Sequence, residues 1–182
     1  MEFDKTLVEA IKDAAKKAFT DLFEKHSEEH FYYCTLVLME DGCCPIVSAM
    51  SEEVLETMVQ ENEDPPEIAR EMLKWSYADS PYCAYGEQYF TEVEKLMVDR
   101  DVYKTEEMYE TEYDLRLNSM EKAMAELDKE GIFGSREGRK NMVVLTEIMP
   151  PDYTNTERAL RLNPRETLKE WLEEAAEEIY IL

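Results

Sequence analysis

The chain has 182 residues, of which 43 are Asp or Glu and 20 are Lys or Arg, giving a formal net charge of −23. Such a field repels nucleic acid and anionic membrane surfaces and permits a basic partner. A hydrophobic content of 44% with eleven Tyr is too rich for a disordered acidic tail, and the length suits one domain, residues 1–182, whose core needs neither disulfide nor metal.

The first expected element is an amphipathic helix from Asp4 to Lys25, with Leu7, Ile11, Ala14, Ala18 and Leu22 on one side and Thr6 with Glu9 as a capping box. Lys5, Asp13, Lys16 and Lys17 interrupt any secretory apolar region, and no apolar run approaches the roughly 18 residues of a membrane span, so a cytoplasmic location is expected. A polar run, Lys25 to Glu29, leads into His30–Met39, which is apolar at nearly every position. Glu40-Asp41-Gly42 follows as a tight turn, and then Cys44-Pro45-Ile46-Val47-Ser48-Ala49. Two antiparallel strands forming the centre of a sheet are predicted, the first covered on both faces.

Ser51 is placed to cap a helix with Glu52 and Glu53 in its first turn and Val54, Leu55, Met58 and Val59 facing inward. Glu61 to Pro66 breaks it. A short helix from Glu67 to Leu73, with Ile68, Met72 and Leu73 as its apolar side, precedes an aromatic-rich connection, Trp75 to Tyr82. Gly86 then introduces a helix through Tyr89, Phe90, Val93, Leu96 and Met97. The longest helix is expected from Thr105 to Glu130, packing through Tyr113, Leu117, Met120, Met124 and Leu127 and ending at Gly131 in the C′ position. Ile132 to Lys140 is a glycine-punctuated basic loop, Met142–Met149 a third strand stopped by Pro150-Pro151, and Thr154 with Glu157 a second capping box for a helix through Leu160. Asn163-Pro164 suits an N-cap followed by Pro at the first position of a last helix, lined by Leu168, Trp171, Leu172, Ala175 and Ile179. The order α-β-β-α-α-α-β-α predicts an α+β domain, a small mostly antiparallel sheet packed with amphipathic helices.

No stretch carries a catalytic signature. His26, His30, Cys34, Cys43, Cys44 and Cys83 fit no zinc-site spacing, the adjacent pair Cys43 and Cys44 suits no mutual disulfide, and there is no Gly-x-Ser-x-Gly elbow. Neither metal nor cofactor is expected. The Gly134–Lys140 loop is basic but lacks the ending of a P-loop. What remains is charge. Glu61, Glu63 and Asp64 in one loop, Glu106, Glu107, Glu110, Glu112 and Asp114 at the start of the long helix, and Glu40 and Asp41 at the hairpin tip are candidates for an acidic face. Tyr109, Tyr113 or Tyr153 beside them would supply anchors, against the plainer reading of these charges as a solubilising surface.

Several segments together resemble a bacterial domain-of-unknown-function family of about this length. They are the opening helix, His30-Phe31-Tyr32-Tyr33, Trp75-Ser76-Tyr77-Ala78-Asp79-Ser80-Pro81-Tyr82, Phe133-Gly134-Ser135-Arg136 and Leu162-Asn163-Pro164. Members of that family occur among genes of polymorphic toxin systems, where they are proposed to be immunity proteins. The resemblance implies a cytoplasmic antidote that binds a cognate toxin domain and occludes its working surface, and it carries over no catalytic residue. Trp75, Asp79, Phe133, Gly134, Asn163 and Pro164 are expected to hold the fold rather than to touch a toxin. The alternatives are a small enzyme or ligand-binding domain with a pocket between the hairpin and Trp75–Tyr85, in which Arg136 or Arg139 holds an anion, and an adaptor or scaffold.

Overall fold

A computed structural model of the chain describes residues 2–39, 44–98, 100, 105–135 and 138–178. Its elements in order are α1 (Lys5–Lys25), β1 (Phe31–Met39), β2 (Ile46–Ser51), α2 (Glu52–Glu61), α3 (Pro66–Leu73), α4 (Thr91–Val98), α5 (Glu106–Lys129), β3 (Val143–Met149), α6 (Tyr153–Leu162) and α7 (Lys169–Glu174). The architecture is the expected α+β.

The near-continuous apolar run of β1 takes the middle of a three-stranded sheet ordered β2-β1-β3. Side chains alternate between two helical layers, which is why an unbroken apolar strand is needed here. On one face Cys34, Leu36 and Leu38 join Val47, Ala49 and Val144 against α1 and α5, with Phe19 meeting Phe133 edge-on at 5.1 Å. On the other, Tyr33, Met50, Val143 and Leu145 pack with Leu55 and Val59 of α2, Ala69 and Leu73 of α3, and Leu168 and Trp171.

The sheet is mixed rather than mostly antiparallel. β2 pairs antiparallel with β1, but β3 runs parallel to it, with Tyr33 opposite Val143 and Met39 opposite Met149. The long helical excursion between β2 and β3 returns the chain to the end of the sheet at which β1 starts, and such a crossover permits parallel pairing.

Both sheet edges are closed without strands. Along β3, the amide of Asn163 accepts from the Val144 N–H at 2.9 Å and donates to the Val144 carbonyl at 2.7 Å. Asn155 repeats this on Ile148 at 2.8 and 3.3 Å, and between them Arg158 donates to the Thr146 carbonyl at 2.9 Å. The residues are three to five apart on or just beyond α6, so one helix face meets alternate edge groups of the strand. Along β2, the Tyr85 N–H donates to the Val47 carbonyl at 3.3 Å and the Ser80 hydroxyl to that of Ala49 at 2.5 Å.

Several local expectations are revised. Asp4, not Thr6, caps α1, accepting from the Leu7 N–H at 3.0 Å, and Asp152, not Thr154, caps α6. In both cases the aspartate precedes the Thr by two residues and the helix starts earlier. Asn163 does not open the last helix. It ends α6 with its amide buried on β3, and α7 begins only at Lys169. On α3 the Ala69/Leu73 stripe is the buried one, while Ile68 and Met72 face outward at 49% and 63% exposure, because the helix docks on α2 one position further round. Ser51 caps α2 as expected, accepting from the Val54 N–H at 3.2 Å. Gly131, with φ +81°, closes α5 through its own N–H to Asp128 and the Ile132 N–H to Leu127, a Schellman motif.

Candidate functional site

Because β1 and β3 are parallel, their first residues lie at one end of the sheet beside the last residues of β2. The turn after α1, the first turn of α2, Trp75–Tyr82, the loop before β3 and the turn after α6 all reach this end. Here the segments that carry the family resemblance, remote in sequence, come together. Trp75 stands edge-on to Tyr32 and Tyr33 at 5.4 and 5.9 Å, Tyr82 packs on Phe31 at 5.6 Å, Phe133 fills the space behind, and Asn163 ties down the start of β3.

Between them runs a groove of two lobes that meet at Tyr32, Glu52 and Asn141. The larger, of about 730 Å³, holds both histidines of the chain. Glu29 accepts from the Ser51 hydroxyl at 2.5 Å and from the Tyr82 phenol at 2.7 Å, and its carboxylate lies 2.8 Å from His26 Nδ1. Burial pushes the Glu29 carboxyl up, but these three hydrogen bonds together outweigh it and hold the group below its ordinary range. The network joins the end of α1, the cap of α2 and the aromatic connection. Beside it Glu53 clamps His30, accepting from its backbone N–H at 2.8 Å and lying 2.6 Å from Nδ1. The bond to Glu53 raises the His30 pKa, and that to His30 lowers Glu53 to about 2.

The second lobe, of about 560 Å³, is framed by Tyr32, Trp75, Glu52, Thr167, Glu166 and Glu173, with Lys140 and Lys169 also at its margin. Its aromatic wall is braced. The Tyr32 phenol donates to the Lys74 carbonyl at 2.5 Å, the Trp75 indole N–H to Glu174 at 2.8 Å, and Lys74 bridges Glu170 and Glu174 while lying over the Trp75 ring. A separate pocket of about 380 Å³ lies between the start of β2 and Ala84–Glu94.

The acidic stretches singled out in the sequence lie elsewhere. Glu61, Glu63 and Asp64 are exposed where α2 turns into α3, one helix length from Glu52. Glu107, Glu110 and Asp114 are exposed on the first half of α5, which packs on the opposite face of the sheet from α2 and α3. Tyr109 is half-buried and stacks on Tyr113, whose phenol reaches the Met39 carbonyl at 3.4 Å. The start of α5 therefore adjoins the end of β1. Glu40 and Asp41, the side chain of Glu106, and Arg136 lie outside the described residues. Glu112 is drawn inward to Arg116 and Arg100.

Asp79 accepts from the Ser76 hydroxyl at 2.6 Å, Gly134 has φ +106° and a Cβ there would come within 3.3 Å of the Arg139 backbone N, and the Pro164 carbonyl accepts from the Thr167 N–H at 3.0 Å. The Arg139 guanidinium, a candidate for holding an anionic ligand, is committed to groups within the protein. It is buried, donating to Asp128 at 2.5 Å, to the Met142 and Leu162 carbonyls and to Asn163. Among the described residues no group of three His, Cys, Asp or Glu is arranged to hold a metal, and no helix is long and apolar enough to cross a membrane. The sequence reading missed Glu29, Glu52 and Thr167 as groove residues. The available signal was the pair of histidines four apart in the polar run ahead of the central strand.

No curated protein and no solved structure matches the chain. The family model for the domain of unknown function DUF4303 matches residues 11–164, a stretch that runs from within α1 to the turn after α6. It takes in all three strands and both lobes' aromatic walls, and the chain belongs to the DUF4303 family.

Proposed function

We propose that this protein is a non-enzymatic binding protein that recognises a basic protein partner through its acidic surface, and that it serves as the antidote of a toxin whose working surface it occludes. The observation that carries this reading is the disposition of its scarce positive charge. Arg116, Arg139 and Arg158 are buried, and Lys12, Lys16, Lys74, Arg70, Arg100 and Arg161 are each held by a carboxylate. The excess of 43 acidic over 20 basic residues is thereby left at the surface, where Glu61, Glu63, Asp64, Glu107, Glu110 and Asp114 are open to solvent. A negative field of this kind steers a basic partner into contact, and a protein that holds nucleic acid presents such a basic surface. The toxin role itself rests on the family resemblance.

The test is co-expression with the product of the adjacent gene, scored as rescue of growth and as complex formation between the purified chains. The expected result is rescue, with affinity falling steeply as salt is raised. Unrelieved growth arrest with no complex at low salt would overturn the reading.

A further inference from the structure

We propose that the groove at the start of β1 is the seat of an extended basic segment of the partner, with a Lys or Arg side chain laid against Tyr32 and Trp75 and its charged end among Glu52, Glu166 and Glu173. The proposal rests on the reading of the protein as an acidic binder and locates the contact, away from the acidic stretches most conspicuous in the sequence.

Three observations carry it. The first is shape, since two adjoining pockets share Tyr32, Glu52 and Asn141 along one end of the sheet, an elongated arrangement suited to a chain segment more than to a compact small molecule. The second is chemistry. Glu52, Glu166 and Glu173 are exposed carboxylates with no ion pair among the described residues, and Lys140 and Lys169 offset them only in part. The aromatic wall offers ring surface on which the stem or head of a cationic side chain packs, and its own polar tips are already bonded to Lys74 and Glu174, so the rings are held in place before a ligand arrives. The third is Thr167. It lines the same lobe at 9% exposure, and its hydroxyl is buried with no hydrogen-bond partner among the described residues. A buried hydroxyl in that state is costly, and a turn of the Thr167 side chain toward the lobe lets a ligand N–H supply the missing partner. An ammonium or guanidinium carries only donors, which suits an unpartnered hydroxyl oxygen set among carboxylates.

The experiment uses the full chain and a penta-arginine amide as probe, with pentaglutamine as the neutral control. Binding is followed through Trp75 fluorescence, since the second tryptophan, Trp171, is 2% exposed and packed in the core. The double variant Glu52→Gln/Glu173→Gln is compared with Glu67→Gln/Glu71→Gln, which makes the same change in net charge on the exposed side of α3. Matching thermal melts establish that all chains are folded. The expected result is that the groove variant binds the probe about tenfold or more weakly, as loss of a charge-assisted contact requires, while the α3 variant stays within about twofold. Equal weakening in both variants, no weakening in either, or no binding of the probe by the unaltered chain overturns the groove assignment. The two levels separate with the protein partner. If the complex with the adjacent gene product forms and survives Glu52→Gln/Glu173→Gln, the groove assignment alone fails. If no complex forms with the unaltered chain, the acidic-binder reading fails with it.

Discussion

Replacing Asn163 with alanine isolates the closure of the β3 edge. The Asn163 amide makes four hydrogen bonds, two to the backbone of Val144, one to the Ala159 carbonyl at 2.9 Å and one from Arg139 at 3.0 Å. Arg139 retains Asp128 and two carbonyls, but the N–H and carbonyl of Val144 lose this partner in a site where Val144 is 0% exposed. At about 1–3 kcal/mol for each buried group left unsatisfied, the variant loses about 3 kcal/mol of stability, a large part of the 5–15 kcal/mol typical of a domain. With a urea m-value of about 2 kcal/mol per M for a chain of this size, the denaturation midpoint falls by about 1.5 M. Hydrogen exchange gives the local readout, with protection of the Val144 amide collapsing while that of Ile148, held by Asn155, persists. A midpoint shift under about 0.5 M, or equal loss of protection at both amides, would refute the view that α6 closes the edge through individual side chains.

Other outcomes follow from the same geometry. Arg139→Lys should cost about 3 kcal/mol or more in urea denaturation, because an ammonium cannot serve Asp128, two carbonyls and Asn163 from one buried position, and a loss under about 1 kcal/mol would contradict this. Gly86→Ala should lower stability by about 2 kcal/mol or more, since φ is +69° and the new Cβ would sit 2.8 Å from that of Ala18. Gly131→Ala, at φ +81° with open space around it, should cost only about 1 kcal/mol, and equal thermal shifts would refute the difference. In NMR titration His30 should lose its proton above its ordinary pKa of 6.5 and return toward that value in Glu53→Gln. The pair's contribution is complete below the ordinary His value and fades as pH rises through the raised one. On the acid side it is present above 4.5 and is lost as pH falls toward 2. An unchanged His30 midpoint in Glu53→Gln would sink this assignment.

The periodic elements were legible because each is dictated locally. The three-to-four spacing of Leu7 through Leu22 and of Leu117 through Leu127 makes one apolar stripe, and the unbroken apolar run of β1 demands cover on both faces. What failed depends on partners distant in sequence. Whether Ile68 or Ala69 of α3 turns inward is decided by α2, and the two stripes differ by a single position. Asn163-Pro164 has the local chemistry of a helix start, but a buried strand edge competes for the same amide, which makes two hydrogen bonds to Val144 and two more to Ala159 and Arg139. The groove was hidden for a related reason. Glu29, Glu52 and Thr167 are ordinary residues until the pairing of β1 with β2 sets the first two side by side and the return of β3 with α6 brings the third to the same end of the sheet, whereas Glu61–Asp64 drew attention only by being consecutive.

The closing of both sheet edges has a consequence for how this protein meets any other chain. The outward groups of β3 at Val144, Thr146 and Ile148 are occupied by α6, and the Val47 and Ala49 carbonyls of β2 by the 80–85 segment. A visiting strand would have to displace α6 or the 80–85 segment from these groups, so side chains are the readier handle for a partner. The same closure separates two protections against self-association that usually act together. Near the sequence pI of about 4.4, where mutual repulsion between molecules vanishes, the native sheet still presents no template for edge-to-edge stacking, and acid precipitation should proceed without gain of intermolecular β-structure in the infrared amide band.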